Sequence, residues 1–111
     1  MINITFRRGR CGFTGFEVRG HSGLEAAGRD IVCAAVSAVT QAAVMGLREA
    51  VGCPMDVHVD SGYLRCIVDE EGMGSGTRRE AQAVIKTALI ALEDISEQYP
   101  ERVRVRVFCG R

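Results

Sequence analysis

Val57-His58-Val59-Asp60-Ser61-Gly62-Tyr63-Leu64-Arg65-Cys66-Ile67-Val68 is the stretch on which the fold turns. Val57 and Val59 form one alternating run, Leu64, Cys66 and Val68 form another, and Asp60-Ser61-Gly62 between them is a hairpin turn signal. Successive strand side chains point to opposite faces, so such a hairpin has one apolar face to cover. The same period recurs at both ends of the chain. Ile2, Ile4 and Phe6 alternate with Asn3, Thr5 and Arg7. After a polar turn at Arg8 to Gly12, Phe16 and Val18 alternate with Glu17 and Arg19. Val103, Val105 and Val107 alternate with Arg102, Arg104 and Arg106.

Two helical patterns separate these strands. The first runs from about Ile31 to Val51, with a stripe of Val32, Val36, Val39, Ala43, Leu47 and Ala50, Gly52 as its cap and Pro54 beyond. The second opens on the capping-box pattern Thr77-Arg78-Arg79-Glu80, carries the stripe Ala81, Val84, Ala88, Leu92 and Ile95, and closes at Pro100. The order is β-β-α-β-β-α-β. With one apolar face per strand, both helices are expected on a single side of the sheet. The expected fold is an α+β two-layer sandwich: a mostly antiparallel five-stranded sheet with two helices on one face.

The 111 residues are expected to form one domain, residues 1–111. Lys plus Arg and Asp plus Glu balance at 14 each, so bulk charge does not require a nucleic-acid partner. Five cysteines, at 11, 33, 53, 66 and 109, are an odd number without a C-x-x-C pair, and they form no disulfide framework. The first residues lack a signal-peptide pattern, and the reading finds no apolar run long enough to span a bilayer. A cytoplasmic protein without a membrane partner is expected.

Reactive chemistry concentrates in Gly28-Arg29-Asp30-Ile31-Val32-Cys33-Ala34-Ala35-Val36-Ser37. Asp30 is a natural N-cap, which places Cys33 in the first helical turn among unpaired amide donors. Those donors and the helix dipole favour a thiolate. His21 lies upstream, in a stretch with glycines at 20, 23 and 28 that reads as a mobile loop. A cysteine with a histidine in reach is what thiol nucleophilic catalysis needs. Free cysteine taken alone is more often a small buried hydrophobe, and Cys66, between Leu64 and Val68, is read that way. Ser37, one turn after Cys33, could serve sulfur or substrate, or bond back to the Cys33 carbonyl. His58 falls on the polar sheet face with Asp56 and Asp60, away from the helices. A metal site from His21, Cys33, Cys53, His58 and Cys66 lacks the paired short spacing of zinc motifs. The arginine strand reads as a solvated face, because no aromatic residues interleave with it.

Gly20-His21-Ser22-Gly23 together with Gly28 to Ser37 resembles the signature of the ribosomal-processing cysteine protease (Prp) family. The resemblance extends over the whole chain in length and element order. Ser22 is a departure, since the family pattern has Ala after the histidine. The resemblance implies an enzyme that removes a short, hydrophobic N-terminal extension, ending in an aromatic residue, from a bacterial large-subunit ribosomal protein. It implies Cys33 as nucleophile and His21 as catalytic histidine, with Asp30 and Ser37 in support. It also implies a homodimer and a substrate loop from Gly20 to Arg29, including Ser22, Gly23 and Gly28, that orders on binding. No cofactor and no metal are expected. The competing readings are a non-catalytic ribosome-associated or RNA-binding module using the Arg102, Arg104 and Arg106 strand, and a redox or metal-binding domain.

Overall fold

The structure is a computed structural model and describes residues 1–20 and 31–110. Its elements are β1 (Ile2–Gly9), β2 (Gly12–Arg19), α1 (Ile31–Met45), β3 (Met55–Asp60), β4 (Tyr63–Val68), α2 (Ser75–Gln98) and β5 (Val103–Cys109). The order matches the sequence expectation. The five strands form one sheet in the order β3-β4-β2-β1-β5. β1–β2, β2–β4 and β3–β4 pair antiparallel, while β1 and β5 pair parallel, with Ile4 opposite Val105 and Phe6 opposite Val107. The sheet is therefore mixed, and its one parallel pair joins the two ends of the chain.

Alternation explains the core. Ile2, Ile4 and Phe6 from β1, Phe16 and Val18 from β2, Cys66 and Val68 from β4, and Val103 from β5 are all buried. The helices lie over them and close the layer with Val32, Val36, Val44 and Leu47 of the first helix and Ala81, Ile85, Ala88 and Leu92 of the second. Phe6 anchors the centre, its ring 5.4 Å from that of Phe16 and 6.3 Å from that of Phe13, the latter edge-on.

Several local expectations shift. On α1, Thr40 and Val44 are buried, whereas Val39 is half-buried and Ala50 exposed. Past Met45 the helix widens to a π-helical segment, Gly46–Val51, which rotates the stripe. Gly52 then ends it in the left-handed region at φ 73°, its N–H donating to the Leu47 carbonyl. On α2 the helix begins at Ser75 after Gly74, so the Thr77–Glu80 pattern lies inside the first turns. Ile85 is buried, and Val84 and Ile95 only partly so. The continuous helix Ile31–Val51 is 21 residues, long and apolar enough by length and composition to cross a bilayer, contrary to the sequence reading. Its inward stripe packs on the sheet as a core helix does.

Candidate active site

Cys33 is the third residue of α1 and sits in its first turn. Its side chain is half-buried and packs against the core cluster without joining the fully buried set. No carboxylate of the described residues occupies that turn. The helical repeat puts Cys33, Ser37 and Gln41 in one row, each about one turn beyond the last.

This row borders a cleft of about 160 Å³ between α1 and the β3–β4 hairpin. Ser37, Thr40 and Gln41 form the helical wall, and Val59, Tyr63 and Leu64 form the strand wall. Thr40 Oγ1 donates to the carbonyls of Val36 at 2.9 Å and Ser37 at 3.2 Å. Val59 departs from the expected burial. It is 69% exposed, since β3 is an edge strand that neither helix reaches over. It offers an uncovered apolar surface to whatever occupies the cleft.

The strand wall is braced on its far side. Tyr63 Oη donates to Glu17 Oε2 at 2.6 Å, and the Arg19 guanidinium lies 4.5 Å from the Tyr63 ring and 3.2 Å from the same carboxylate. The Tyr63 hydrogen bond, helped by Arg19, holds the Glu17 carboxyl below its ordinary value of 4.5. The Tyr63 hydroxyl is raised above 10.0, chiefly by donating to Glu17.

The five cysteines sit in differing settings. Cys66 is fully buried and desolvation pushes it up to about 11. Burial also raises Cys53, whose Sγ donates to the Leu47 carbonyl at 3.5 Å. Cys11 and Cys109 are exposed near a turn and the last strand end. His58 is exposed beside Tyr63, its ring 5.7 Å away, on the face opposite the helices, and is not brought to Cys33. His21, Ser22, Gly23, Gly28 and Asp30 lie outside the described residues. Gly20 is described: at φ 80° it takes a conformation that L side chains disfavour, and its N–H donates to the Gly62 carbonyl at 3.0 Å. That bond ties the end of β2 to the β3–β4 turn beside the cleft.

Of the residues singled out in the sequence, Ser37 lines the cleft and Cys33 lies one turn before it, whereas Val59, Tyr63 and Leu64 carried no sequence signal as cleft residues. Alternation could assign Val59 to the helix side of its strand, but gave no signal that this edge is uncovered.

The family model for cysteine protease Prp matches residues 1–104. The ribosomal processing cysteine protease Prp of Bacillus subtilis (strain 168) is 33% identical over 95% of this chain and 96% of its own length. The ribosomal processing protease Prp from S. aureus in complex with a substrate peptide superposes with a TM-score of 0.81 at 27% identity, over 96% of this chain and 99% of that one. The S. aureus protease with a covalently linked product peptide gives 0.82, with the same identity and coverage. With a cysteine in the first turn of α1, a cleft farther along the same helical row and these relatives over nearly its full length, the chain belongs to the cysteine protease Prp family and is a cysteine protease.

Proposed function

We propose that this protease removes a short N-terminal extension from a bacterial large-subunit ribosomal protein, with Cys33 as nucleophile and His21 as general base and then general acid. The observation that carries the reading is the position of Cys33 in the first turn of α1, in line with a cleft whose strand wall is apolar at Val59 and Leu64. The relative named for ribosomal processing in Bacillus subtilis and the peptide complexes of the S. aureus protease support the substrate class.

The chemistry follows from the helix start. Amide donors and the dipole stabilise negative charge on the Cys33 sulfur. His21 takes the thiol proton as sulfur attacks the scissile carbonyl carbon. The oxyanion is held by backbone N–H donors at the start of α1. The C–N bond breaks, and the amine departs with the proton from His21. Water, deprotonated by His21, then attacks the thioester. The C–S bond breaks and sulfur regains the proton. Asp30 orients His21, and Ser37 supports the site from one turn beyond Cys33. The stretch holding Gly20, Ser22, Gly23 and Gly28 closes over the correct peptide and thereby supplies specificity.

The same reading places the enzyme in the cytoplasm as a homodimer. An apolar groove of about 480 Å³ along the outer seam of α1 and α2, lined by Val39, Ala42, Gly46, Val84 and Ala91, supports a protein-covered helix face. Sedimentation at micromolar protein tests it, and a monomer throughout would refute the dimer.

The activity is tested by mass spectrometry of a synthetic extension peptide incubated with wild type, Cys33→Ala and His21→Ala. One cut after the aromatic residue, made by wild type alone, is expected. An uncut peptide with reduced, folded wild type would overturn the substrate assignment.

A further inference from the structure

The open face of the sheet, opposite the helices, carries a feature the protease reading does not use. Strand register sets Arg104 beside Asn3, Arg106 beside Thr5, and Phe108 beside Arg7. Arg104, Arg106 and Phe108 are exposed, Phe108 by 52%. The Arg7 guanidinium lies 5.7 Å from the Phe108 ring centroid. Contrary to the expectation of a strand without aromatics among its arginines, Phe108 shares a face with Arg104 and Arg106 and borders Arg7 on the next strand.

Positive charge predominates on this half of the face. Neither β1 nor β5 contains a carboxylate. Glu17, opposite Thr5 on β2, is engaged by Tyr63 and Arg19, and the Glu70 carboxylate lies against Gly9 at the end of β1. Asp56, on the far edge strand, lies 3.6 Å from Arg65. Among the described residues, Arg7, Arg104 and Arg106 make no ion pair. The balancing acids, including Glu93, Asp94 and Glu97, belong to α2 in the helix layer. At the end of the two strands, where Arg8 pairs with Cys109, lies an open concavity of about 490 Å³ bounded by Arg8, Gly9, Arg10, Cys109 and Gly110. Net neutrality of the chain thus hides a cationic strip that ends in an exposed ring.

We infer that this β1–β5 face binds single-stranded RNA. Guanidinium groups would neutralise the phosphates, and a base would stack on Phe108. A flat sheet presenting an aromatic ring suits unpaired bases and not a duplex, whose bases are already stacked. Asn3, beside Arg104, and Thr5, beside Arg106, offer partners for the 2′-hydroxyl that distinguishes RNA from DNA. Binding here is independent of the peptidase activity, since the face lies across the sheet from Cys33.

Fluorescence anisotropy with a labelled oligouridine tests the inference across a salt series. Four phosphate contacts, from Arg7, Arg10, Arg104 and Arg106, correspond to a log–log salt slope of about −2.8. Arg104→Ala/Arg106→Ala should reduce that slope by about half and weaken binding about tenfold at low salt. Phe108→Ala should weaken binding at least about fivefold and leave the slope unchanged, because stacking releases no counterions. Arg79→Ala/Lys86→Ala on α2 should have no effect, and thermal unfolding confirms that each variant folds. No salt-dependent binding by wild type, or binding indifferent to the Arg104/Arg106 and Phe108 changes, would overturn the inference. Equal affinity for oligodeoxyuridine, or equal displacement by polyglutamate, would overturn the assignment to RNA.

Discussion

The side-chain amide of Gln82 on α2 meets both backbone groups of Phe13 on β2: the Phe13 N–H donates to Oε1 at 2.8 Å, and Nε2 donates to the Phe13 carbonyl at 2.6 Å. The β1–β2 register shifts between Arg7 and Arg8, where a bulge disturbs the ladder. Gln82 acts there as a substitute strand partner and pins α2 to the sheet. Gln82→Ala orphans a partly buried donor and acceptor, each worth about 1–3 kcal/mol when left unpaired. A loss in that range is expected in urea unfolding, with the slope m unchanged. A loss below about 0.5 kcal/mol would mean that water replaces the amide.

Thiol reactivity should rank by setting. At pH 7.5 with limiting iodoacetamide, Cys33 is expected to be modified first and the exposed Cys11 and Cys109 next. Cys53 and Cys66 should lag, since burial raises both and takes Cys66 to about 11. Peptide mapping reads the order. Alkylation of Cys33 no faster than Cys11 would contradict an activated sulfur.

Cys33→Ala should lower peptide cleavage by more than about 10³-fold, because the nucleophile is gone. The half-buried site predicts a stability change of about 1 kcal/mol or less. Retained cleavage in that variant would remove Cys33 from the mechanism.

Val59→Asp examines the cleft. The residue is 69% exposed, so stability should stay within about 0.5 kcal/mol of wild type. A hydrophobic peptide that covers Val59 should lose affinity, raising KM by about 3- to 10-fold with kcat nearly constant. An unchanged KM would place the peptide elsewhere.

The Glu17–Tyr63 bond makes stability depend on pH. The folded Glu17 carboxyl is lowered from 4.5, so its contribution is full above that value and is lost as pH falls through the folded one. Tyr63 is raised from 10.0, so its contribution is full below that value and fades as pH climbs through the folded one. Glu17→Gln should therefore lower Tm at pH 7 and cost progressively less toward pH 3. An equal loss at both would show that packing, not charge, is at stake.

Strand positions were legible because period-two alternation is local: Ile2-Ile4-Phe6 and Leu64-Cys66-Val68 announce themselves within a few residues. Helix stripes were legible in outline and wrong in detail. The π-helical Gly46–Val51 and the start at Ser75 depend on how the ends of each helix meet other segments. Cys33 was legible for the same local reason, since a helix start is written in adjacent residues.

By itself, then, the sequence determined the element order, the single apolar face of each strand and the candidate nucleophile in the first turn of α1. Tertiary structure alone decided the parallel β1–β5 pairing, the uncovered Val59 beside Ser37 and Gln41, the Gln82 clamp on Phe13, and the meeting of Arg7 with Phe108. The physical reason is range. Periodicity and capping are settled by neighbours along the chain, whereas these contacts join residues far apart in sequence and exist only once the sheet order brings them together.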